Sequence, residues 1–313
     1  MSVDAGVITL IAITLFAAVV NGALGYGFSS LTVPVALLFY AARVLSPALV
    51  LVEVVLNVYT LAVNRKGFSK VWLRVLPILV GLIPGVIVGS YALSVVHPGF
   101  LKLLVYVVLL PLILLQAAGV RRPIRSERIV GVPLGLGVGA LYSTTTISGP
   151  PLALMLNNQG FAKEEFRAAL GVVRVAESTL TAVAYYFLGL YSVSSIHLLP
   201  FIVPSVVIGL PVGVFLIRRM DSEVFRRICM SFDAWVVGFG LSRVLIDLSF
   251  VQSPMAYVVL LTAAFVDIYL LVLFFRARRS TRVAVRTLVA APSVDAVALP
   301  LSPMRKEVGY KYE

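Results

Sequence analysis

Acidic residues are scarce in this chain: 14 Asp and Glu stand against 26 Lys and Arg, and all charged residues together make up 13% of 313 positions. A soluble domain carries about twice that share of charge. There is one cysteine, Cys229, which excludes an intramolecular disulfide and a thiolate metal cluster within one chain. The two histidines, His97 and His197, lie far apart and support no histidine metal site. No G-x-x-x-x-G-K, H-E-x-x-H or G-x-S-x-G segment occurs, so nothing points to an ATPase, a zinc protease or a hydrolase. No metal and no cofactor are implied. The fold class these shortages leave is an apolar one.

Hydrophobic residues fill 60% of the chain. They form long runs from residue 5 to residue 275, too long and too uniformly apolar for barrel strands. The reading is an all-α integral membrane protein. Charge-poor runs long enough to span occur at 44–63, 71–93, 99–119, 166–188, 196–217, 226–247 and 254–275. The first apolar run has no basic lead and no cleavage signal, so it reads as part of the mature fold.

The net charge of +12 reads as cytoplasmic loops rather than as a nucleic-acid surface. Arg65, Lys66, Lys70 and Arg74 share one loop; Arg121, Arg122, Arg125 and Arg128 the next. Arg218, Arg219, Arg226 and Arg227 form a third, and Arg276, Arg278, Arg279, Arg282 and Arg286 follow the last span. The connections 94–98, 189–195 and 248–253 carry no Lys or Arg. This places the four basic segments inside, the C-terminus in the cytoplasm and the N-terminus outside, in a cell membrane.

Two apolar regions are broken. The segment 22-GALGYGFSSLTVP-34 returns as 139-GALYSTTTISGPP-151. Region 129–157 starts and ends on the same face, and its 29 residues are too few for two full spans. A re-entrant hairpin solves this, with two half-helices of about 13 residues and a tip near the midplane. Region 5–40 crosses an even number of times, as a hairpin or as two short tilted spans. Each hairpin region is followed by three spans. Three is odd, so the second repeat enters with inverted topology. The expected organisation is repeat 1–120, inverted repeat 121–250, a final C-terminal transmembrane helix 251–279 and a poorly ordered cytoplasmic tail 280–313. Glu53 matches Glu177, and 81-GLIPG-85 resembles 209-GLPVG-213.

Non-helical backbone at membrane depth belongs in a protein-lined or wet cavity. Pro34 and Pro150–Pro151 are expected to open the second half-helices, with free N–H groups aimed at the centre. Gly25, Gly27 and Gly149 permit the turns. Ser29, Ser30, Ser143, Thr144, Thr145, Thr146 and Ser148 add neutral donors, and Tyr26 and Phe28 flank the first tip. Together these make a candidate anion site. A plainer reading also stands: Gly, Ser and Thr let helices pack closely. Arg174 lies one turn before Glu177, so the two can pair. They are a structural ion pair, or Arg174 contacts substrate and Glu53 and Glu177 are proton-coupling candidates. Arg167 snorkels near the inner face, and Asp233, Arg243, Asp247 and Asp267 read as structural.

The segments GALGYGFSSLTVP, GALYSTTTISGPPLALML and 166-FRAAL-170 together resemble the TauE/SafE sulfite exporter family of the TSUP superfamily. The resemblance covers about residues 5–275. It implies two inverted repeats and transport of a small anion such as sulfite, thiosulfate or an organosulfonate, with some members carrying carboxylates. The broken loops then form the substrate region. Two departures stand out. Gly25-Tyr26-Gly27-Phe28 replaces a common G-G-G run, and Thr144–Thr146 stands where relatives often place glycine. The expected function is a proton-coupled, alternating-access permease and not an enzyme; a passive channel and a small-carboxylate carrier are the alternatives. Its partners are a small anionic substrate and the lipid bilayer, with no nucleic acid. The oligomeric state is not encoded in any pattern read here.

Overall fold

The computed structural model describes residues 5–63, 68–118, 127–158, 163–217, 219 and 222–290. Six of the basic loop residues, Arg65, Lys66, Arg121, Arg122, Arg125 and Arg218, lie outside the described residues. The described chain is helical with no strand. The first broken region is α1 (Ala5–Leu24) and α2 (Phe28–Ala36), followed by α3 (Ala42–Val63), α4 (Phe68–Val95) and α5 (Pro98–Ala117). The second is α6 (Glu127–Thr145) and α7 (Gly149–Asn158), followed by α8 (Lys163–Phe187), the single turn α9 (Val193–Ile196), α10 (Leu199–Ile217) and α11 (Ser222–Asp247). The last helix is α12 (Val258–Ala290).

Among the described residues, seven helical segments are long and apolar enough to cross a membrane. They differ from the sequence expectation at two places. The 20-residue α1 joins the set, and α8 drops out because Arg174, Glu177, Ser178 and Thr181 put a polar face on a helix of sufficient length. Large apolar side chains such as Leu73, Phe187 and Phe265 stand on the outside, 74% to 80% exposed. In water such a surface would aggregate; against lipid it is the expected face.

Residues 1–270 and 271–313 form two units. Within the described residues the second is the remaining length of α12, to Ala290. Helix therefore runs eleven residues into the segment expected to be a tail, and 291–313 lie outside the described residues.

Packing in the first unit is paired. Helix α1 packs chiefly on α10, and α6 on α4. Helix α3 packs on α8, α5 on α11, α2 on α11 and α7 on α5. Exchanging α1–α5 for α6, α7, α8, α10 and α11 maps these pairings onto one another. The repeated sequence motifs explain the closest of them. A Cβ at Gly22 would fall 2.3 Å from the carbonyl oxygen of Leu210, and one at Gly139 would fall 2.8 Å from that of Leu82. So GAL meets GLPVG in one pair and GAL meets GLIPG in the other. Backbones in lipid associate by such close approach. The plain packing reading of these two glycines is therefore the right one.

The hairpins are lopsided, not symmetric. Each has a long first arm, of 20 residues in α1 and 19 in α6, and a short second arm, of 9 in α2 and 10 in α7. The first arms end in the same way. Gly25 adopts φ +83° and donates to the carbonyl of Asn21 at 2.7 Å; Thr146 adopts φ 58° and donates to that of Tyr142 at 2.5 Å. This is the left-handed residue that stops a helix, and glycine is its usual occupant. A β-branched residue there is strained by on the order of 1–3 kcal/mol. Thr146→Gly should raise thermal stability by about 1 kcal/mol net of glycine's added chain entropy, read as a higher midpoint in detergent. A drop in midpoint would show that the Thr146 side chain contributes more than its strain removes.

Candidate functional site

The two tips abut. A Cβ at Gly149 would fall 3.5 Å from the Tyr26 ring and 4.0 Å from the Gly27 nitrogen. Between the tips lies a small cavity of about 10 Å³, lined by Gly27, Ser29, Ser30, Thr146, Ile147, Ser148, Gly149 and Arg174. That is barely room for one water.

The second arms present unequal N-termini. Helix α2 begins after Gly27 at φ 109°, and its first intrahelical bond is Leu31 N–H to the Gly27 carbonyl at 3.2 Å. The N–H groups of Phe28, Ser29 and Ser30 precede that bond and lack helical acceptors. In α7, Pro150 and Pro151 occupy the second and third positions, as expected for a first turn, and Gly149 alone of the three has an N–H. Pro34 does not open α2. It is the seventh of nine residues, and its carbonyl accepts from the Tyr106 hydroxyl at 2.9 Å. The letters align Pro34 with Pro151, but α6 runs one turn beyond its GAL and α1 does not. The shared register therefore slips by one turn at the tips.

Charge is concentrated beside the cavity. Helix α3 supplies Glu53 and α8 supplies Arg174 and Glu177, all buried. Arg174 does not pair with Glu177 one turn away, as its spacing suggested. Its Nη2 lies 3.0 Å from Glu53 Oε1, across the α3–α8 contact. Glu53 also accepts from the Ser29 hydroxyl at 2.7 Å and the Tyr142 hydroxyl at 2.6 Å. Glu177 accepts from Ser148, leaving its Oε2 without a partner. Each glutamate thus holds the serine of one tip: Glu53 with Ser29, Glu177 with Ser148. Arg174 also donates through Nη1 to Asn21 Oδ1 at 3.4 Å, while its Nε has no partner. Removing three ionisable groups from water is expensive, so this cluster is a default site for function in a membrane protein.

The other sequence candidates sit differently. Phe28 is fully buried in the apolar core. Ser143, Thr144 and Thr145 donate to the carbonyls of Gly139, Ala140 and Leu141, inside their own helix, and do not line the cavity. Such back-bonding lets hydroxyl residues sit in an apolar helix. Gly25 and Tyr26 form the first turn, and Tyr26 touches the second tip. Four partners escaped the sequence reading: Asn21, Tyr142, Asn57 and Ser178. Asn57 Nδ2 reaches the Arg174 carbonyl and Ser178 Oγ, both at 3.3 Å. A signal existed. Asn57 follows Glu53 by four residues and Ser178 follows Arg174 by four, so each pair shares a helix face.

A larger cavity of about 340 Å³ lies on the other side of the first tip. Asn21, Gly25, Tyr59, Thr60, Val63, Arg167 and Val214 are among its walls. It sits toward the ends of α3 and α10 and the start of α8, the edge where the basic loops begin.

The arrangement is a buried guanidinium and two carboxylates behind two helix breaks, with the larger cavity, a vestibule, beside the first break. It suits binding a small anion. No curated protein and no solved structure matches the chain. A family does match, over residues 10–241: sulfite exporter TauE/SafE. That stretch covers both breaks and every charged group of the cluster, and the chain belongs to the TauE/SafE sulfite exporter family, a family of multi-pass membrane anion transporters.

Proposed function

We propose that the chain is a permease for a small anion of the sulfite, thiosulfate or organosulfonate class, working by alternating access between two inverted repeats. The observation that carries this is Arg174, buried and partly unpartnered, lining a polar cavity between the two tips. The first-turn N–H groups of α2 and the hydroxyls of Ser29, Ser30 and Ser148 supply the neutral donors. The exchange of helix pairings between the two halves supports a rocking motion of one half against the other. On the positive-inside assignment the protein lies in the cell membrane, N-terminus outside and C-terminus in the cytoplasm, and the vestibule opens inward.

Coupling to protons follows from the charge at the site. Two carboxylates and one guanidinium sum to a net negative charge. An anion is repelled until a proton neutralises one carboxylate, so proton and anion binding favour each other. Glu177, with an oxygen to spare, is the carrier of that proton. In proteoliposomes, Glu177→Gln should abolish accumulation driven by a pH gradient while leaving anion counterflow measurable. Full gradient-driven uptake by that variant would end the coupling proposal. A passive channel would show no counterflow in the wild type.

A further inference from the structure

The inner cavity, at about 10 Å³, has no room for an oxyanion in this conformation, whereas the vestibule, at about 340 Å³, has the volume of a small-ligand pocket. Asn21 stands between the two. It is 1% exposed and lines the vestibule. Arg174 has only donors, so the Asn21 oxygen faces it, which fixes the amide's orientation. The Asn21 Nδ2 is left buried and without a partner. Arg167 is the charged residue in the vestibule wall, exposed, on the first turns of α8. Tyr59 lines the same space.

We infer that the vestibule is itself an anion site, an outer station where Arg167 and the Asn21 amide hold a small oxyanion before it reaches Arg174. It rests on the anion-transport reading and deepens it. A buried amide donor with no acceptor is unfavourable unless something fills the position, and an oxyanion is an acceptor with several lone pairs. Transfer inward then replaces the bond between Arg174 and the Asn21 oxygen with one between Arg174 and the anion. The asparagine is the element that changes partners.

The test is equilibrium binding of sulfite, thiosulfate, taurine and acetate to the full-length protein in detergent. Arg167→Gln should weaken the bound anion about tenfold, the effect of losing one charged hydrogen bond. Asn21→Asp keeps the acceptor for Arg174 and turns the free donor into a repelling oxygen, so it should weaken binding by more than about tenfold. Arg219→Gln is the control: this exposed arginine stacks over Phe215, outside the vestibule wall, and should change affinity less than about twofold. If Arg167→Gln and Asn21→Asp bind as the wild type does, the outer station is wrong while the inner site stands. Equal weakening by Arg219→Gln would reduce the effect to bulk charge and overturn the station. A wild type that binds none of the four anions overturns both readings.

Discussion

Glu53→Gln should be among the least stable single variants of this protein. The carboxylate is fully buried and takes three hydrogen bonds, from Ser29, Tyr142 and Arg174. The two hydroxyls donate to different carboxylate oxygens, so glutamine, with one acceptor oxygen, keeps only one of those bonds, and it cannot neutralise Arg174, which is 4% exposed. Leaving one charge of a buried pair uncompensated costs about 3–5 kcal/mol. Replacing both charges by neutral groups of similar size is often close to neutral. The double variant Glu53→Gln/Arg174→Gln should therefore recover most of the lost thermal stability. The measurement is the unfolding midpoint of the wild type, both single variants and the double. A Glu53→Gln protein as stable as the wild type would show that the pair does not tie α3 to α8. The double variant also matters for function, because its expected stability makes it the test of anion binding without the buried cation.

The second large effect lies away from the site. A Cβ at Gly213 would sit 2.0 Å from the carbonyl oxygen of Val19, and the atom it meets is backbone, which cannot turn aside. Gly213→Ala must push α10 off α1. Overpacking of this kind costs about 1–3 kcal/mol, and a clash with a neighbouring backbone belongs at the upper end. Since α1 ends at the first tip, a shift there should also disturb the cavity, so both midpoint and transport should fall. Gly137→Ala is the comparison. It is the same change in α6, with nothing within 4 Å of the new atom, and should leave both unchanged. Equal behaviour of the two alanine variants would refute close helix approach as the reason for the GAL–GLPVG contact.

The membrane spans, the two breaks and their kinship were legible in the sequence because they depend on local features: runs of apolar residues, and glycines and prolines that interrupt them. The match of Gly22 with Gly139 and of GLIPG with GLPVG marked the real packing partners, though not which motif met which. Three things were not legible. The hairpin arms were expected to be equal, because a total length does not say where a helix stops; the left-handed residues Gly25 and Thr146 set that, after 20 and 19 residues. Pro34 was placed one turn wrong, because α6 runs one turn beyond its GAL, through Ser143, Thr144 and Thr145, and α1 does not. Arg174 was matched to Glu177 by spacing along one helix, while the partner that wins, Glu53, is 121 positions away. Its choice depends on how α3 meets α8, which no periodicity records.

The central claim is that two broken helices and one buried arginine form a site for a small anion. It is tested most directly by titrating sulfite, thiosulfate, taurine and acetate into the purified wild type and into Glu53→Gln/Arg174→Gln. At least one of the four should bind the wild type saturably and raise its unfolding midpoint, and the folded double variant should bind none. Undiminished binding to the double variant, or no binding of any anion to the wild type, would contradict the account.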